Sequence, residues 1–156
     1  MPNKTALLVV TDLGRFRAFR YEANPRFSTP RLQVIEEWET EVHAHLSEQL
    51  SDQAGQFQKG SRSFGGVNDG ASGERHNLKL ELERRALKKV ANRIRELLAL
   101  DGLESCYLAA GHEINSAVLQ ALDPQTRGRV ERNVPANLTR LSVPEILEHF
   151  QATAKT

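Results

Sequence analysis

Between Lys59 and Arg95 the chain carries ten lysines and arginines against four acidic residues, a local excess of six positive charges. The chemistry open to such a run is polyanion binding, in which each phosphate neutralised makes the association more sensitive to salt. On a helix Arg84 and Lys88 are neighbours, and Arg85, Lys89 and Arg93 form an adjacent row, so two ranks of cations are expected opposite an apolar stripe. The same charges would also suit a solvated face, or one answering Glu36 to Asp52, which holds six acidic residues and no lysine or arginine.

Just ahead of these cations lies a stretch from Gln53 to His76 that contains six of the ten glycines and almost no large apolar side chain. It is expected to be a flexible loop, with Gly65, Gly66 and Val67 at its tip. It lacks the glycine, lysine and hydroxyl order of a phosphate-cradling loop and does not open directly from a strand.

Other reactive side chains are sparse. His43 and His45 stand two apart without the cysteine pair or second ligand set that a zinc site needs, so no metal is expected. His76 sits at the head of the basic segment, and His112 with Glu113 follows an apolar strand at a position where ligand crevices form in open α/β sheets. Asp12, at the end of the first apolar run, has the residue type of a metal-dependent nuclease ligand, but no aspartate ends either of the other apolar runs to join it. A turn role for Asp12 is favoured, and His76 and Asp12 are the weak catalytic candidates. Cys106 lies in the apolar run SCYLAA and reads as a small buried residue.

Elements must hold these groups in place. TALLVVTD and GRFRAFRYE read as a β-hairpin, with Asp12 bonding its own backbone and Gly14 able to take a positive φ. A third strand is expected around RLQVIEE, after Pro25 and Pro30. Glu36 to Asp52, with Trp38, Val42, Leu46 and Leu50 at near-helical spacing, reads as an amphipathic helix or an irregular acidic segment. Leu80, Leu87, Val90 or Ala91, Ile94 and Leu97 or Leu98 recur as in a long helix ending at Asp101-Gly102. ESCYLAAG then reads as a buried strand, HEINSAVLQALD as a short helix stopped by Asp123-Pro124, and GRVERNVP as a strand. SVPEILEHFQ reads as a helix capped by Ser142 and Glu145.

A chain of 156 residues with 39% hydrophobic residues and a formal net charge of +1 suits one soluble domain over 1–156, of mixed α/β class. The lone cysteine suits a reducing compartment. No leader-like or membrane-spanning apolar stretch stands out, so a cytoplasmic protein without membrane contact is expected.

The order LLVVTDLGRFRAFRYE, ELERRALKKVANRIREL, SCYLAAGHEINSAVLQAL and VERNVPANLTRLSVPEILEHF resembles the bacterial host-attachment protein family. That family is itself similar to the middle domain of archaeal and eukaryotic release factors and of Pelota-type ribosome-rescue factors. The resemblance spans nearly the whole chain through diffuse patterns. It implies a ribonuclease-H-like fold, a mixed sheet flanked by helices. In the release factors a Gly-Gly-Gln tip precedes the long helix and works on peptidyl-tRNA. Here the matching residues are Gly65-Gly66-Val67, and valine has no amide to position water, so the hydrolytic chemistry does not carry over.

The resemblance therefore implies a non-enzymatic factor associated with the ribosome, rRNA or tRNA and needing no cofactor. Arg62, Arg75, Lys79, Arg84, Arg85, Lys88 and Lys89 are the expected phosphate contacts. The alternatives are a hydrolase acting on RNA or peptidyl-tRNA, and a protein-interaction module with a protein partner, linked to host attachment.

Overall fold

The computed structural model describes residues 4–26, 28–42, 65–100 and 102–155, except for the side chains of 65–75 and 152–155. Strands β1 (Lys4–Asp12) and β2 (Arg15–Ala23) form the expected hairpin, and β3 (Arg31–Glu39) pairs antiparallel with β2. Helix α1 (Gly65–Leu100) leads to β4 (Cys106–Ala110), which lies parallel to β1. Two short helices, α2 (Asn115–Ala121) and α3 (Pro124–Arg127), precede β5 (Val130–Val134), parallel to β4, and α4 (Val143–Lys155) follows. The result is one mixed sheet in the order β3-β2-β1-β4-β5, covered by helices on both faces.

Alternation along β1 sorts its side chains. Leu7 and Val9 face α1 and α2, packing with Val90, Ile94, Leu98 and Val118; Leu8 and Val10 face α4, packing with Ile146 and Phe150. A strand covered on both sides has to be apolar at every position, which is why LLVV runs without a break. Cys106, on β4, is fully enclosed on the α1 face, and burial pushes its thiol up to about 12, so it stays protonated and inert.

Asp12 closes the β1–β2 turn, its Oδ1 accepting from the backbone N–H groups of Gly14 and Arg15 at 2.8 Å each. Gly14 does not take the positive φ expected of it; among the described residues that conformation occurs only at Gly102, φ 63°, just after α1. The carboxylate holds the turn, so glycine's special freedom is not needed there. The capping box on α4 forms as the sequence implies, the Glu145 N–H donating to Ser142 Oγ at 3.4 Å and the Ser142 N–H to Glu145 Oε1 at 3.3 Å. Asp123-Pro124 does more than stop α2: Asp123 caps α3, with Pro124 in its first turn.

Two expectations change. Residues 65–76, expected as loop, begin α1, while 53–64 lie outside the described residues. A helix already fixed by packing between Ala86 and Leu98 extends without a new nucleus, each added residue closing a hydrogen bond. Against this stands about 1 kcal/mol for each interior glycine. At 36 residues α1 is about 54 Å long, whereas a nine-residue strand spans about 30 Å. The helix therefore overruns the sheet, and residues 76–80 are exposed, including Leu78 and Leu80.

The second change concerns the acidic segment. Its residues 36–39 belong to β3, which runs past the expected RLQVIEE to take in Trp38 and Glu39; Glu41 and Val42 are helical, and 43–52, with His43 and His45, lie outside the described residues. Glu36 and Trp38 find pairing partners on β2, so the strand continues to Glu39. Among the described residues no helix is long and apolar enough to cross a membrane.

Candidate functional site

The side chain of Trp38 reaches its place through a bulge. Leu32 and Val34 pair with Tyr21 and Phe19 on the α4 face, but the register slips between Ala18 and Phe19. One extra residue reverses the alternation. Glu36 and Trp38 consequently pair with Ala18 and Phe16 and turn toward α1.

There they wall an open groove of about 690 Å³, whose other side is a stripe of α1: Arg85, Lys88, Lys89, Asn92, Arg93 and Glu96. The spacing of three, four, seven, eight and eleven residues is one helical face, directly beside the apolar stripe. The row Arg85, Lys89, Arg93 thus flanks the buried face and leans onto β3, instead of standing opposite it as the helical wheel suggests.

The Trp38 indole is held from several directions. Phe16 stacks on one face, with centroids 4.6 Å apart and planes at 14°. The indole Nε1–H donates to Glu36 Oε2 at 2.8 Å. Glu36 in turn accepts two bonds from Arg93, at 2.8 and 2.6 Å, and Arg93 donates a third to Glu96 at 2.8 Å. Such a forked, charge-assisted pair fixes orientation as well as charge. The Arg93 guanidinium holds the Glu36 carboxyl below the usual carboxylate range, against the opposing effect of burial. The Lys89 ammonium sits over the indole, 4.5 Å from the ring centroid. At an exposed position that contact is worth about 0.5–1 kcal/mol.

The seven expected phosphate contacts divide. Arg62 lies outside the described residues, and Arg75 is on α1 without a described side chain. Lys79 approaches Glu83 at 4.0 Å, and Arg84 lies 3.3 Å from Glu81. Arg85 meets Glu81 at 3.3 Å and Glu41 at 3.9 Å. Exposed pairs of this kind hold their partners by about 0.3–0.5 kcal/mol, so a stronger anion can displace them. Lys88 and Lys89 line the groove, and among the described residues neither has a carboxylate within ion-pairing distance. The groove as a whole sets four cations, Arg85, Lys88, Lys89 and Arg93, against two carboxylates, Glu36 and Glu96.

A second concavity, of about 770 Å³, opens at the carboxyl ends of β1, β4 and β5, lined by Asp12, Lys79, Glu83, His112, Glu113, Asn137 and Arg140 among others. Asp12 is fully engaged here. Besides its two turn bonds, its Oδ2 accepts from Asn137 Nδ2 at 3.1 Å and lies 3.1 Å from Thr139 Oγ1, whose single proton goes to the nearer Asn137 Oδ1 at 2.7 Å; the network ties the β1 end to the segment before α4. His112 and Glu113 are exposed at the rim, and His76 is exposed on α1. Among the described residues no three histidine, cysteine or acidic side chains gather as a metal site.

Sequence reasoning chose Lys88 and Lys89 but overlooked Trp38, Glu36, Asn92 and Arg93 as one constellation. A lone tryptophan flanked by glutamates was the available signal. The bulge that aims it at α1 leaves no mark in the residue pattern.

The family model described as "Protein required for attachment to host cells" matches residues 7–150, and the chain belongs to that family. No curated protein matches it.

Proposed function

We propose that this chain is a non-enzymatic RNA-binding module of the cytoplasm, with ribosomal RNA or tRNA as its polyanion and the groove between β3 and α1 as its contact surface. The observation that carries the reading is the pair Lys88 and Lys89, two ammonium groups in one groove without carboxylate partners among the described residues. Arg85 adds a third cation whose exposed pairs are weak enough to exchange for phosphate. The mixed sheet with helices on both faces supports the likeness to a ribonuclease-H-like release-factor or Pelota-type middle domain, from which the ribosomal partner is drawn by analogy. Hydrolysis is not part of the reading, because Val67 carries no amide and the Asp12 carboxylate already accepts three hydrogen bonds shared over its two oxygens.

The test is anisotropy of labelled tRNA and of a labelled rRNA fragment over a range of salt. Affinity is expected to fall steeply with salt. In Lys88→Glu with Lys89→Glu it is expected to weaken on every sequence, with the log–log salt slope shallower by about 1.4–1.8 for two lost phosphate contacts. Equal affinity in that double variant, or no binding by the parent at low salt, removes the reading.

A further inference from the structure

We infer that Trp38 is a stacking platform for a nucleobase, and that Lys89 is the group that uncovers it by moving from the indole to a phosphate of the same strand. The inference rests on the RNA reading and names the form of RNA it requires: a single strand, since a base paired within a duplex offers no free face.

The ring meets the requirements of a platform before any ligand arrives. Its rear face is backed by Phe16 at 4.6 Å, and its edge is fixed through Nε1–H to Glu36. That carboxylate is in turn clamped by Arg93. The indole therefore has little rotational freedom left to lose when a base stacks. Over the ring lies an exposed, unbranched side chain, Lys89, whose ammonium sits 4.5 Å from the centroid. A phosphate oxygen offers that ammonium a full opposite charge, where the indole offers only the negative face of a quadrupole. Drawing Lys89 toward phosphate frees the ring face at the moment a neighbouring base arrives. Lys88 lies beside it as a second phosphate contact, and Asn92 brings both a donor and an acceptor to the edge of a stacked base. Aromatic faces and cations interleaved along one groove are the means by which proteins hold single strands with little sequence preference.

The chain has one tryptophan, so its fluorescence reports this ring alone. The experiment titrates the full chain with a short single-stranded oligoadenylate, inorganic polyphosphate and adenosine monophosphate, following both anisotropy of labelled ligand and tryptophan emission. The oligonucleotide is expected to bind and to quench emission severalfold more than polyphosphate does at equal saturation. Trp38→Leu is expected to lower oligonucleotide affinity roughly tenfold to a hundredfold while leaving polyphosphate binding unchanged. Trp38→Phe keeps an aromatic face and should restore most of the loss. Lys89→Gln, a surface change that tests the idea without disturbing the ring, is expected to weaken both polymers and to leave the quenching intact.

Oligonucleotide binding without quenching, or equal quenching by polyphosphate, overturns the stacking inference and leaves the RNA reading standing. Absence of oligonucleotide binding while labelled tRNA still binds overturns the stacking inference alone, and absence of both overturns the RNA reading with it. Quenching by the mononucleotide but not by the oligonucleotide assigns the ring to a free nucleotide and overturns the single-strand form.

Discussion

The groove under β3 and the crevice at the strand ends are of similar size, about 690 and 770 Å³, and both are lined with charge. They differ in what those charges are already doing. In the crevice the one carboxylate at a strand end, Asp12, accepts three hydrogen bonds and ties β1 to the segment before α4. In the groove, Glu36 and Arg93 lock each other, yet Lys88 and Lys89 keep their ammonium groups without carboxylate partners among the described residues. Position in an α/β sheet favours the crevice as a ligand site; free hydrogen-bonding and charge capacity favours the groove. Capacity is the ground on which the groove is proposed, because Asp12, satisfied internally, has little left to offer without breaking the fold.

The sharpest way to break this contrast is Asp12→Ala. If the crevice is structural there, the variant loses about 2–3 kcal/mol in denaturant unfolding, while the protein that remains folded binds RNA as the parent does. An RNA defect in the folded fraction, at unchanged stability, would move the site to the crevice.

Next in size is Glu36→Gln, expected to lower stability by about 1–2 kcal/mol, since Gln keeps the Trp38 contact but not the charge facing Arg93. The native carboxyl titrates below its ordinary value of 4.5. Its contribution is therefore complete above that value and is lost as pH falls through the lowered native one. Unfolding midpoints followed downward from pH 6 should show a parent decline that is shallower in Glu36→Gln. Parallel curves would mean that Arg93 does not act on Glu36 as the geometry indicates.

The smallest effect is expected from His112→Ala with Glu113→Gln at the crevice rim. Stability should move by less than about 0.5 kcal/mol and RNA affinity by no more than about twofold, read by thermal melting and anisotropy.

Local signals gave the elements their outlines. The continuous apolar run of β1, the three-and-four spacing from Val90 to Leu98, and the Ser142–Glu145 box each express a backbone period or a cap, and each appears in the structure. Gly65 to His76 misled because composition reports the price of each glycine and not the cooperativity of a helix anchored further along. The candidate site was half legible. Lys88 and Lys89 stood out as a charge run, whereas Trp38 was read with an acidic segment that was open to a helix.

What the sequence determined by itself is the inventory: five strands, three helices, an excess of cations on the longest of them, and a single tryptophan among glutamates. What the tertiary structure decided is which of those charges remain available. Glu36 and Arg93 are 57 positions apart and meet only because a bulge in β3 reverses its faces and α1 packs across the sheet. Neutralisation depends on distance in space, which falls off over a few ångströms, and no residue pattern along the chain encodes that distance.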